Sequence, residues 1–211
     1  MVEVLPAIFA ETKEVYEEKL RKVEPFVEWV HIDIEDGKFA PKTTIGSEVV
    51  GYFKTSAKKE IQLLVKYPDD WVDDFFKIAQ ASRIIFPVEV EPSGGLKEVI
   101  KHIQNHGVEV GVVLNPETSI SKIDHIIPDL DLVSIMSVHP GPSGQKFIPD
   151  VLPKIDYVKK NAPRIKVEID GGINLENAKA AKEVGVDIIV AGEYIFGSEN
   201  IERAIEDLKN I

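Results

Sequence analysis

Two carboxylates and one imidazole stand at the ends of apolar runs in this chain of 211 residues, and their types favour acid–base or metal chemistry. The run HIDIEDG begins at His31 and places that imidazole, Asp33 and Glu35 on one face of a predicted strand, because strand side chains alternate between two faces. A second run, KVEID, ends at Asp170. Carboxylates in apolar strands are costly to bury unless they are paired, hydrogen-bonded or bound to a metal. The alternative interpretation is a polar plug or a pair of strand-end caps.

The absence of cysteine limits what such a site could hold. Without cysteine the chain forms no disulfide, no thiolate zinc site and no thiol nucleophile. Any metal would therefore be bound by nitrogen and oxygen atoms, with His31, Asp33 and Asp170 as the candidates. Such ligands suit a borderline divalent ion such as zinc, iron or manganese.

The elements that must position these residues follow a regular alternation. Apolar runs rich in valine and isoleucine predict eight strands, at residues 4–9, 27–34, 61–65, 83–89, 109–114, 132–138, 166–170 and 187–191. Amphipathic patterns predict helices between them, at 11–23, 69–80, 96–106, 151–161, 175–184 and 201–211, with weaker patterns at 47–55 and 119–127.

Strands that alternate with helices imply parallel βαβ units. Eight such units in one chain of this length predict a compact (β/α)8 TIM barrel, with residues 1–211 as a single domain and the active site at the carboxyl ends of the strands. A doubly wound open sheet is the alternative. It is less favoured because no G-x-G-x-x-G follows the first predicted strand.

Glycine-rich turns follow the last three predicted strands. Glycine lets backbone N–H groups approach an anion, and the loops after strands seven and eight of such barrels often bind phosphate. The candidate substrate-binding residues in these turns are Gly141, Ser143, Gly144, Gly171, Gly172 and Gly192. The alternative is that these are ordinary strand-to-helix turns.

Other residues give weaker indications. His102 and His106 lie on a charged predicted helix and His125 in a polar connection, so we expect all three at the solvated surface. His139 begins the first glycine turn. Met136 ends the sixth strand, where it either packs in the core or lines a substrate pocket.

Composition argues against several partners. A formal net charge of −11 without runs of lysine or arginine disfavours binding to nucleic acid or to anionic membranes. No apolar stretch approaches the roughly 20 residues of a membrane span, and the first residues lack the pattern of a signal peptide. We expect a cytoplasmic protein that acts on a small molecule. The sequence leaves the oligomeric state open, with a homo-oligomer as one alternative.

Four motifs together resemble those of one family, the ribulose-phosphate 3-epimerases and their ketose-phosphate 3-epimerase relatives. HIDIEDGKFAP at 31–41 resembles H-x-D-x-M-D-G-x-F-x-P, and SVHPGPSGQKF at 137–147 resembles T-V-x-P-G-F-G-G-Q-x-F. Residues 167–173 and 190–196 resemble V-D-G-G-[IV] and V-A-G-S-x-[IF]-F. The resemblance covers essentially the whole chain in order, and it implies a (β/α)8 barrel.

The resemblance also implies a reaction and roles for particular residues. The family inverts carbon 3 of a ketose phosphate, as in the conversion of D-ribulose 5-phosphate to D-xylulose 5-phosphate, with a divalent metal such as zinc, iron, manganese or cobalt. By position, Asp33 and Asp170 would be the acid–base pair and also metal ligands. His31 would be a third ligand, and Met136 would pack near the enediolate.

Two departures from the family pattern concern the metal and the reacting atoms. The family's serine in the first strand is Ala7 here, so a hydroxyl is missing. The family's second metal-binding histidine is Gln62, whose amide oxygen is a poorer ligand for zinc or iron. We therefore expect weaker metal binding or a preference for a harder ion.

Three further departures make the predicted pocket more acidic and poorer in imidazole. Glu193 replaces the family's phosphate-contacting serine, Glu35 replaces a pocket methionine, and Pro87 replaces a common histidine. A carboxylate beside a phosphate dianion is unfavourable. These residues keep two alternatives open: an epimerase for an unphosphorylated or differently substituted sugar, and a non-catalytic binding or scaffold barrel.

Overall fold

The chain folds into eight parallel strands that alternate with helices, as a computed structural model shows for residues 2–90, 92, 94–141 and 144–211. The strands are β1 (Glu3–Ile8), β2 (Trp29–Glu35), β3 (Lys58–Leu64), β4 (Arg83–Pro87), β5 (Glu109–Leu114), β6 (Leu132–Met136), β7 (Lys166–Asp170) and β8 (Ile188–Ala191). Each strand pairs with its neighbours in sequence, and β1 also pairs with β8, so the sheet closes into a barrel. The predicted (β/α)8 fold is confirmed.

Helices cover the outside of the barrel. They are α1 (Lys13–Val23), α2 (Ser47–Tyr52), α3 (Asp69–Lys77), α4 (Leu96–Asn105), α5 (Leu152–Asn161), α6 (Leu175–Glu183), α7 (Glu193–Phe196) and α8 (Ile201–Lys209). Helix α1 begins where the Thr12 hydroxyl accepts a hydrogen bond from the Val15 amide, which satisfies one of its free N–H groups. Its face formed by Tyr16, Leu20 and Val23 is fully buried, and burial of each of the two aliphatic side chains contributes roughly 1.5–3 kcal/mol.

The prediction of a helix at residues 119–127 is wrong. This segment instead contains one short 3₁₀ turn, Ile120–Lys122, and a second turn, Ile127–Asp129, follows it. Backbone amides in this segment bond to the carbonyl three residues earlier, as from Ile123 to Ile120 and from Ile126 to Ile123, which closes short turns in place of an α-helix.

The strand register brings the polar residues together. Asp33 lies opposite Gln62 on the neighbouring strand, and Met136 lies opposite Asp170. One step deeper, His31 lies opposite Glu60. Parallel strands end on the same side of the barrel, so these pairs surround one opening.

Helices of the described residues are too short and too polar to cross a bilayer.

Candidate active site

A cavity of about 680 Å³ opens at the carboxyl ends of the strands. Its floor contains Asp33 and Gln62 from β2 and β3 and Asp170 from β7, and Met136 from β6 also lines it. The three glycine turns form part of its wall. The structure thus brings together most of the residues expected from the sequence.

The two aspartates are linked through one amide. Gln62 Nε2 donates to Asp33 Oδ1 at 3.3 Å and to Asp170 Oδ2 at 3.4 Å. The two carboxylates therefore approach the same point from different strands. Met136 is almost completely buried beside them, so it serves both roles that the sequence left open: it packs in the core and it lines the pocket.

A buried chain of charges holds His31 in place. His31 Nδ1 lies 2.7 Å from Glu60 Oε1, and the other Glu60 oxygen accepts a hydrogen bond of 2.7 Å from Arg83. All three side chains are fully buried. Because a carboxylate on Nδ1 fixes the orientation of the imidazole, its Nε2 is directed toward the aspartates.

These surroundings shift the pKa values of several groups. Burial disfavours a charged His31, but the carboxylates of Asp33 and Glu60 raise its pKa well above the usual value. Burial, reinforced by the charge of Asp33, raises the pKa of Asp170 to about 7. The same two causes raise the pKa of Glu35 to about 7. Two carboxyl groups of the pocket therefore titrate near neutral pH.

The arrangement suits a divalent cation. One atom each of His31, Asp33 and Asp170 lies within 4.8 Å of the others. His31 Nε2 is 3.4 Å from Asp33 Oδ1 and 4.0 Å from Asp170 Oδ2, and it makes no hydrogen bond within the described part of the chain. The buried Oε1 of Gln62 also lacks a partner there. A ligand nitrogen and an amide oxygen without partners at a pair of carboxylates fit a metal site.

The glycine turns approach one another closely. A Cβ on Gly172 would lie 2.7 Å from the Phe147 nitrogen, and its φ of +61° also favours glycine. A Cβ on Gly144 would lie 3.1 Å from Glu193 Oε2, so this exposed carboxylate rests against the first glycine turn. Gly141, Gly171 and Gly192 line the cavity as well, whereas Ser143 lies outside the described residues.

Three residues of the site were missed from the sequence: Glu60, Lys19 and Arg83, which begins β4 and whose contact with Glu60 no local pattern shows. Glu60 precedes Gln62 by two residues on the same face of β3, and this period of two could have revealed it. Lys19 could not be found from a local motif, because it lies on α1 and reaches the cavity from outside the barrel. Its Nζ donates to the Phe9 carbonyl at 2.8 Å and lies 5.1 Å from the centre of the Phe196 ring. Among the described lining residues it is the one lysine or arginine.

The departures from the family pattern lie at different depths. Ala7 and Glu35 line the cavity with Glu193, so the missing hydroxyl and the added acids face the substrate space. Pro87 is buried at the end of β4 and does not line the described cavity wall.

The closed barrel with carboxylates, imidazole and glycine turns at its mouth defines a TIM-barrel enzyme with an acid–base site. Residues 3–196 match the profile of the "Ribulose-phosphate 3 epimerase family". The chain belongs to this family, and the isomerase class expected from the sequence is confirmed.

Similar proteins agree with this assignment. A ribulose-phosphate 3-epimerase of Bacillus subtilis is 36% identical over 99% of both chains. One of Chlamydia trachomatis is 41% identical over 82% of this chain and 76% of its own. A solved structure of 3-hexulose-6-phosphate synthase superposes with a TM-score of 0.73 and 17% identity over 99% of both chains, a likeness that concerns the fold alone.

Proposed function

We propose that the protein inverts carbon 3 of D-ribulose 5-phosphate to give D-xylulose 5-phosphate, with Asp33 and Asp170 as the two proton-transferring groups. The observation that carries this proposal is the shared amide donor, because Gln62 Nε2 lies 3.3 and 3.4 Å from the two carboxylates. They stand on different strands and face one cavity, as a reaction on two faces of one carbon requires.

The two carboxyl groups need opposite protonation states at the start of a turnover. A pKa of about 7 lets Asp170 hold a proton near neutral pH, while Asp33 acts as the base. Asp33 removes the proton on carbon 3, and the electrons of that C–H bond form the enediolate with the neighbouring ketone. Asp170 then delivers its proton to the opposite face of carbon 3. The protonation states of the pair are reversed by one turnover and return by exchange with solvent.

A divalent metal would be held at this site by His31, Asp33 and Asp170, and the Gln62 amide oxygen would be a fourth ligand if its side chain rotated. When bound, such an ion supplies positive charge that stabilises enediolate oxygens. Glu60 and Arg83 contribute by fixing His31. We expect zinc, iron, manganese or cobalt, and we expect weaker binding than a second histidine would give.

The phosphate would be held by backbone N–H groups of Gly144, Gly172 and Gly192, with Ser143 offering a hydroxyl. Lys19 provides a positive charge in the same cavity. Glu193 opposes these donors because its carboxylate rests against Gly144. That contact specifically favours a second candidate. It is an epimerase whose substrate carries no phosphate, or carries a group that donates a hydrogen bond to Glu193.

The direct test is proton exchange at carbon 3. D-ribulose 5-phosphate is incubated in heavy water with the protein and each candidate metal, and the product is analysed by NMR. We expect xylulose 5-phosphate labelled at carbon 3. Asp33→Asn or Asp170→Asn should lower the rate by about 10²–10⁴-fold, since each removes one general acid or base.

Asp124→Asn is the matched control, because Asp124 is an exposed carboxylate outside the cavity lining and contacts Tyr157. The Asp124→Asn variant should exchange the carbon 3 proton of the substrate at the wild-type rate. Exchange with unphosphorylated ribulose alone would support the second candidate. No exchange with any metal or sugar would refute both and leave the scaffold alternative.

The cytoplasmic location, the single domain over residues 1–211 and a homo-oligomeric state stay predictions.

A further inference from the structure

A second group of metal-ligating side chains lies on the outer surface, between α3 and α4. It consists of Asp73 on α3, His102 on α4 and His106 at the end of that helix, and is called the Asp73 cluster below. One ligand atom from each residue lies within 4.8 Å of the other two. Nothing in the proposed epimerase reaction uses these residues.

Both imidazoles converge on a single oxygen. His102 Nε2 is 3.0 Å and His106 Nε2 is 2.8 Å from Asp73 Oδ1. The spacing explains this convergence, because residues four apart on a helix lie on the same face. The sequence predicted solvated histidines, but the structure half-buries both and gives them a common partner.

The cluster is held in position from two sides. The His106 ring stacks on Phe76, with centroids 4.4 Å apart and planes 23° apart. Lys77 pairs with the second oxygen, Asp73 Oδ2, and so leaves Oδ1 facing the histidines. The His106 side chain is only 19% exposed, which restricts its motion.

We propose that the Asp73 cluster is a binding site for a divalent transition metal, with zinc as the ion of choice. Two imidazole nitrogens and one carboxylate oxygen favour zinc over magnesium or calcium. In a tetrahedral zinc site with bonds of about 2.0–2.1 Å, ligand atoms lie about 3.3 Å apart. The two nitrogen–oxygen separations of 3.0 and 2.8 Å therefore need to widen by only a few tenths of an ångström, and the two nitrogens lie within 4.8 Å of each other. With the ion bound, each imidazole would present an unprotonated Nε2 and carry its proton on Nδ1, and water would fill the fourth position.

Zinc itself is the probe. The full chain is titrated with zinc against a chromophoric chelator, and the number of ions bound per chain is counted for the wild type, His102→Ala and His106→Ala. Each substitution should remove one bound zinc or weaken that site at least tenfold. His125→Ala is the matched control, because it removes an exposed histidine outside the cluster.

Two further measurements keep the result unambiguous. His102→Gln keeps a hydrogen-bond donor toward Asp73 but loses the imidazole, so it should fold as the wild type does and still lose the zinc. The Asp170→Asn variant should retain this ion, because the mouth of the barrel is a separate site. Zinc should also raise the Tm of Asp170→Asn, and that rise should vanish when His102→Gln is added.

Equal zinc binding by the wild type, His102→Gln and His106→Ala would overturn the proposal and leave the cluster as a hydrogen-bonded link between two helices. Loss of the same ion in His125→Ala would overturn it as well. Failure of the epimerase test changes neither outcome, since the Asp73 cluster lies outside the mouth.

Discussion

Replacing Arg83 with methionine tests whether buried charges beneath the pocket hold the barrel together. Arg83 is fully buried, donates to Glu60 at 2.7 Å, and lies 4.3 Å above the Trp29 ring. Methionine fills similar space and keeps an apolar contact with the ring. What is lost is the counter-charge of Glu60, which would keep His31 as its cationic neighbour beside the buried Glu168.

The magnitude follows from burial. Removing one partner of a buried ion pair costs about 3–5 kcal/mol, because the remaining charge is left in an apolar interior. The second partner of Arg83, Glu109, has a side chain that is 45% exposed, so its loss adds little. For a chain of this size about 1 kcal/mol corresponds to a Tm shift of roughly 2–4 °C, so the Tm of Arg83→Met should fall by about 6–20 °C.

Thermal unfolding followed by circular dichroism measures this fall, with Lys58→Met as control. Lys58 also pairs with a glutamate, Glu28, at 2.8 Å and also lies over the Trp29 ring, at 5.2 Å, but its side chain is 51% exposed. Its substitution should leave the Tm unchanged within error. Adding Glu60→Gln to Arg83→Met should recover part of the loss, because it removes the buried carboxylate that has lost its arginine. The neighbouring Glu168 stays buried, and burial raises its pKa well above the usual value.

Equal Tm values for Arg83→Met and Lys58→Met would refute the reasoning, since burial is the main difference between the two pairs. A double variant less stable than Arg83→Met would show that lost packing, and not the unpaired charge, causes the fall.

Three other substitutions test the pocket. In the folded protein the pKa of Glu35 is raised to about 7, so the wild type should lose stability as the pH rises from about 5 to about 8. The Tm of Glu35→Gln should fall less over this pH range than the Tm of the wild type. An equal fall would contradict this. Glu193→Ser should lower KM for D-ribulose 5-phosphate several-fold and leave KM for unphosphorylated ribulose unchanged, which steady-state kinetics can decide. Gly172→Ala should cost more than about 1–2 kcal/mol in urea unfolding, because its φ is positive and the Phe147 backbone is close. Gly185→Ala, with φ +96° and only the Lys159 side chain nearby, should cost less, and the reverse order would be evidence against that contact.

The sequence was sufficient to predict the barrel fold and the two aspartates at its mouth. Strands such as β4, in which all five residues are buried, appear as apolar runs because helices cover parallel strands. Asp33 and Asp170 could be found because a charged residue at the end of such a run needs a compensating partner.

The remaining features depend on contacts between distant segments. Lys19 reaches the cavity only because α1 packs beside the end of β1, and no local pattern records that contact. Residues 119–127 close into short turns, with amides such as that of Ile123 bonded to the carbonyl three residues earlier, and a weak apolar pattern did not distinguish these turns from an α-helix. The two histidines of the Asp73 cluster lie 29 and 33 positions along the chain from Asp73. Helix periodicity alone therefore showed two surface histidines and not their shared partner.

The amide of Gln62 has a consequence for how the enzyme is assembled in a cell. Its N–H groups already bridge the two aspartates, so their repulsion is relieved while the chain folds and before any ion arrives. Folding therefore does not have to wait for metal supply. We expect the chain to refold from urea with a chelator present as fully as it does without one, which circular dichroism can measure.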